Sequence, residues 1–70
     1  MPLTGWTKTL FWDPRTGEDA ITYSGYSGHG TYWVTAPLAP AGKSRRAQKD
    51  EILDRIEEAI ERNDPPGEVK

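Results

Sequence analysis

The sequence has no cysteine, one methionine and one histidine. Without cysteine there is no disulfide framework and no thiolate metal site. His29 alone makes no histidine cluster for zinc. No run approaches the ~18 apolar residues a membrane span needs. The N-terminus has no basic segment followed by an apolar one, so nothing there reads as a signal peptide. These absences predict a cytoplasmic chain with no membrane partner and no cofactor. At 70 residues the chain has room for one domain. A domain of that size buries only ~60% of the surface its unfolded chain exposes. Packing of aliphatic and aromatic side chains must therefore supply the fold.

The sequence does have rings. Trp6, Phe11, Trp12, Tyr23, Tyr26, Tyr32 and Trp33 all fall in the first half. Before Pro37 the chain is rich in Thr, Trp, Tyr and Gly, a composition that suits strands. After Ala41 it turns to Lys, Arg, Glu, Asp and Ile, which suits a helix. The alternation predicts strands at about 6–12, 19–24 and 31–35. Asp13-Pro14-Arg15-Thr16-Gly17 reads as a hairpin turn: Asp first, Pro pre-setting φ, Gly supplying a positive φ at the end. Three glycines between Gly25 and Gly30 predict an irregular loop.

Ile52, Leu53, Ile56, Ala59 and Ile60 recur at helical period and predict a helix over about 44–63. Ser44 is its expected N-cap and Asn63 its stop, with Pro65 and Pro66 beyond. Glu51 with Arg55 and Glu58 with Arg62 are spaced as i, i+4 pairs. Residues 64–70 read as a disordered tail. Three bare strands are marginal, and a helix with one apolar stripe must bury it. The expectation is thus an α+β fold: a three-stranded antiparallel meander with one C-terminal helix on one sheet face, in two layers. The stripe covers one face only, and the other stays open.

The formal net charge is −2. Its distribution is strongly polar along the helix. Lys43, Arg45, Arg46 and Lys49 come first; Asp50, Asp54, Glu57, Glu58 and Glu61 follow. Cations at a helix N-terminus oppose the macrodipole by ~0.3–1 kcal/mol each at low salt. Either the helix starts later, capped by Asp50, or the cluster binds an anion such as a nucleic-acid backbone. A solvated charge run is the competing reading. The acidic set reads as a surface that docks on a basic partner, or as an ordinary exposed helix face. Trp6, Trp12 and Trp33 are candidate protein-binding anchors, set against core duty in a small domain.

Gly42-Lys43-Ser44 stands where a phosphate-binding loop would end, but the first glycine of that pattern is replaced by Pro37. Proline supplies neither the flexibility nor the N–H donor that such a loop needs. Asp13, Glu18 and Asp19 form a loose carboxylate group at the first turn, with little volume nearby for a cleft that would shift their pKa. No nucleophile–base arrangement is present, and no enzymatic activity is expected.

Residues 1–37 loosely resemble a WW domain, with Pro2 to Trp6 at the start, Thr16-Gly17 at the first turn, Tyr23 in the middle strand and Trp33 with Pro37 at the end. The resemblance implies Pro-rich peptides held between Tyr23 and Trp33. The Trp6–Trp33 spacing is longer than in that family, and the helical segment lies outside its pattern.

The sequence leads to the expectation of a small protein-interaction module. A concrete form is a phage or mobile-element inhibitor that occupies a host nucleic-acid-handling defence complex. The expected partner is a protein, such as a nucleic-acid-binding complex. Nucleic acid is the alternative ligand, through the basic helix start and the sheet rings. An open sheet face also suits a second copy of the chain.

Overall fold

The computed structural model describes residues 3–70; Pro2, at the start of the WW-like segment, lies outside them. The elements are β1 (Gly5–Asp13), β2 (Glu18–Ser27), β3 (Gly30–Pro37), α1 (Lys43–Glu61) and β4 (Gly67–Glu68). They form one mixed sheet in the order β1-β2-β3-β4 with one helix against it. β1, β2 and β3 are an antiparallel meander, and β4 runs parallel to β3. This is the α+β architecture that the sequence pattern predicts, with one strand more.

The first turn is built by Asp13. Its carboxylate accepts the Arg15 amide at 3.0 Å, and its carbonyl accepts the Gly17 amide at 2.8 Å. Gly17 sits at φ 73°, in the left-handed region that glycine reaches without cost. The second connection is shorter than the glycines suggest. β2 continues through Gly25 and Tyr26, which pair with Tyr32 and Thr31, leaving Gly28 and His29 as the turn. The glycine at 25 therefore belongs to a strand interior.

Side-chain direction follows register. Ile21, Tyr23 and Gly25 of β2 lie beside Ala36, Val34 and Tyr32 of β3, and beside Leu10, Lys8 and Trp6 of β1. α1 covers the β2–β3 part of this face. Ile21, Tyr23, Tyr32 and Val34 meet Ile52, Ile56, Ala59 and Ile60 in the core. Each fully buried isoleucine contributes about 1.5–3 kcal/mol relative to exposure. Gly25 marks a close approach: a Cβ there would lie 2.7 Å from Leu3 Cδ2 and 2.8 Å from Ile56 Cγ2. The opposite face is open and carries Thr22, Ser24 and Tyr26, with Thr31, Trp33 and Thr35 beside them.

The helix starts one residue before Ser44. Gly42 is the N-cap, at φ 91°, with no side-chain capping bond. Ser44 and Asp50 therefore do not cap the helix. Side chains of the first two turns hold the start by reaching back to the connector. Gln48 Nε2 donates to the Pro37 carbonyl at 2.7 Å, and Gln48 Oε1 accepts the Ala39 amide at 3.1 Å. Arg45 Nε donates to the Ala39 carbonyl at 2.8 Å. At the other end Asn63 takes φ 60° and stops the helix. Among the described residues the i, i+4 pairs Glu51–Arg55 and Glu58–Arg62 do not form; Arg62 turns to Asp64 at 2.9 Å instead.

Residues 64–70 correct the expected disordered tail. The Tyr32 hydroxyl donates to the Asp64 carbonyl at 2.7 Å, and the Val69 amide donates to the Trp33 carbonyl at 2.8 Å. Val69 packs against the core, and Pro66 lies against Gly30. The paired proline turns the chain back along β3, and a buried tyrosine hydroxyl, which must find an acceptor, ties it down. Tyr32→Phe should cost about 1 kcal/mol and lower Tm by about 4–8 °C. Amide exchange at Val69 should accelerate more than at Val34; equal protection at both would show that the hydroxyl does not hold the tail.

Candidate protein-docking groove

α1 leaves β1 uncovered. Trp6, Lys8, Leu10 and Trp12 point to the helix side of the sheet, because they pair with Gly25, Tyr23, Ile21 and Asp19. Leu10 is 49% exposed, Trp12 61% and Trp6 41%. Phe11, on the other face of the same strand, is exposed too. Among the described residues, four of the six large exposed hydrophobics thus sit on a single strand. That strand is also the free edge of the sheet.

Between this row and the helix runs an open groove. One end, of about 660 Å³, is lined by Leu3, Trp6 and Leu53 with the carboxylates of Asp50, Asp54 and Glu57. The next section, of about 300 Å³, is lined by Lys8 and Tyr23 with Arg45, Arg46 and Lys49. Trp6 marks the join. Its ring lies 5.9 Å from Tyr23, tilted by 46°, and the Lys49 ammonium sits 5.6 Å from its centroid. Such a cation–π contact contributes about 0.5–1 kcal/mol at an exposed site. The helix's charge order therefore becomes a spatial order, acidic at one end of the groove and basic at the other.

Not every sequence candidate is part of the groove. Asp50, Asp54 and Glu57 converge with Trp6, while Glu58 and Glu61 are exposed and line neither section. Trp12 extends the β1 row, whereas Trp33 lies on the opposite face beside Glu68. Lys43 lines neither section; Lys8 from β1 joins Arg45, Arg46 and Lys49 instead. Of these, Arg45 is engaged with the Ala39 carbonyl and Lys49 with Trp6. Leu3, Lys8, Leu10 and Leu53 were missed as site residues. The signal available for Leu10 and Lys8 was their alternation with Trp6 and Trp12.

The WW-like pairing does not exist in this fold. Tyr23 is 1% exposed beneath the helix, and Trp33 belongs to the other face. No peptide can lie between them. No helix among the described residues is long and apolar enough to cross a membrane. Among the same residues no group of three or more His, Cys, Asp or Glu is placed to hold a metal ion. Comparison with protein-family models, curated proteins and solved structures finds no match to this chain.

Proposed function

We propose that the chain is a non-enzymatic protein-interaction module that docks its partner along β1 and the groove beside α1. The observation that carries this reading is the concentration of Trp6, Leu10, Phe11 and Trp12 on one free edge strand. Exposed tryptophans are favoured interface anchors, and an unpaired edge offers main-chain hydrogen bonds to a partner. Large exposed apolar patches of this kind mark interaction sites. Asp50, Asp54 and Glu57 set the sign of a partner segment at the acidic end: cationic, with an apolar body to rest on Trp6 and Leu53. A phage or mobile-element inhibitor that occupies the basic surface of a host nucleic-acid-handling complex would use these carboxylates in that way.

A second reading rests on the convergence of Lys8 with Arg46 beside Tyr23. That section would take a phosphate. The acidic section on the same helix wall repels a continuing polyanion, and this favours the protein partner.

The test is photo-crosslinking from the two faces of the sheet. A photoreactive residue replacing Leu10 or Trp12 should yield a crosslink to protein. One replacing Trp33 should not. Trp12→Lys should abolish capture without lowering Tm, since Trp12 is mostly exposed. Crosslinking from Trp33 alone would move the docking surface to the open face. Salt-sensitive oligonucleotide binding that Arg46→Glu removes would favour the phosphate reading, with a log–log slope near −0.9 per phosphate neutralised.

A further inference from the structure

The groove has a property that its walls do not show separately: it is complementary to itself when reversed. Asp50, Asp54 and Glu57 stand at one end, Lys8 and Arg46 at the other, and Lys49 beside Trp6 between them. Among the described residues the ion pairs are Arg15–Asp13 and Arg62–Asp64, so none of these side chains pairs with another described residue. Charges of both signs therefore lie unneutralised along a single surface. The exposed apolar row of Trp6, Leu10 and Trp12 runs beside them.

We infer that this groove is a two-fold interface whose occupant is a second copy of the chain. The inference rests on the reading of β1 and its groove as a protein-docking surface and names the partner. A two-fold axis makes an isologous contact, in which each surface meets itself reversed. Reversal brings the acidic end of one copy over the basic end of the other, twice per pair. A parallel arrangement would bring like charges together and is disfavoured. The same reversal covers exposed apolar side chains of both copies. The axis passes close to Trp6 and Lys49, where the sign of the wall changes.

The experiment is sedimentation equilibrium of the full chain, at low and physiological salt, with three variants. The expected result is a species of twice the 7.8 kDa chain mass that weakens with added salt. Arg46→Glu alone and Asp54→Lys alone should each raise the dimer dissociation constant roughly tenfold or more, because each places like charges together twice. Mixing the two variants should restore the dimer. One of its two contacts is then native, and the other carries both reversals. A merely misfolded variant cannot be rescued by mixing, and both positions are exposed, so circular dichroism should be unchanged. Trp33→Lys, on the far face, should leave association intact.

A monomer at every concentration overturns the inference. So does a dimer indifferent to both charge reversals, or one that mixing fails to restore. If the chain is monomeric but crosslinks to another protein from Leu10 or Trp12, the docking surface stands and self-association falls. If neither self-association nor crosslinking depends on β1, both fall together.

Discussion

Ile56→Ala is expected to cost about 3–4 kcal/mol, the middle of the range for an isoleucine truncated in a packed core. Ile56 is 0% exposed and packs directly over Gly25 of β2. Its Cγ2 would lie 2.8 Å from a Cβ at Gly25, so the helix is seated on the strand's backbone there. Removal of its outer carbons leaves a void that neither side can fill. Helix and strand are held apart by Ile21, Tyr23, Ile52 and Ile60 on both sides. A chain of 70 residues has about 3.5–10 kcal/mol of total stability at ~0.05–0.15 kcal/mol per residue. The variant should therefore be partly unfolded at 37 °C, with Tm lowered by roughly 15–30 °C. Glu58→Ala, two residues along and exposed, should stay within about 0.5 kcal/mol of the parent. Alanine raises helix propensity at both positions, so a thermal melt of both isolates the loss of core packing at Ile56. Equal melting temperatures would mean that the helix is not seated on Gly25.

Gly25→Val is the second large effect, and its sign is informative. Judged by strand propensity alone, valine should improve a β-strand by up to ~1 kcal/mol. Judged by the packing, it should cost ~3 kcal/mol or more. The new Cβ would fall 2.7 Å from Leu3 Cδ2 and 2.8 Å from Ile56 Cγ2. Leu3 can swing away, but Ile56 is β-branched within a helix and nearly fixed at χ1. The helix must lift, and the contacts of Ile52 and Ile60 loosen with it. Gly25→Ala should do the same on a smaller scale, about 1–3 kcal/mol. In an Ile56→Ala background the Gly25→Ala cost should shrink, because the obstructing methyl is gone. Chemical denaturation of the four chains gives this coupling directly. Strict additivity would show that the two residues do not touch.

Much of this fold is legible in the sequence for identifiable reasons. The Asp13–Gly17 turn has one residue type for each torsional demand, and the structure uses Asp13 and Gly17 in those roles. The stripe from Ile52 to Ile60 has helical period, and its members line the core, with Leu53 at its margin. The choice of sheet face was not legible. Alternation defines two faces and ranks neither; Ile21 with Tyr23 and Ala20 with Thr22 are equally regular. Gly25 is what breaks the tie, since a strand glycine often marks where another backbone or helix approaches. Beside Gly28 and Gly30 it reads as loop, which hides that role. The tail was unreadable for a different reason. Gly67–Glu68 pairs with β3 because the Tyr32 hydroxyl, 32 positions away in sequence, holds Asp64.

The groove was legible only as two lists of charges. Sequence places Asp50, Asp54 and Glu57 on one helix and Trp6 on a distant strand. Their meeting depends on the direction in which α1 crosses the sheet, and no local pattern encodes that. Lys8 shows the same limit from the other side. Alternation gives it the face of Trp6 and Trp12, and only the register with Tyr23 brings it to Arg46.

The two edges of the sheet are unequal, and this sets its valence. β4 lies on the β3 edge with two residues, pairs with Tyr32 and Trp33, and follows directly on Pro65 and Pro66. β1 offers nine residues on the other side. In the language of polymer chemistry, a chain that adds strands at β1 alone would be a monofunctional monomer. Strand addition at β1 would join one neighbour and leave the partly covered β3–β4 edges outermost. A chain that lost its last few residues would become bifunctional, and the same edge chemistry would then run on into a fibre rather than terminate.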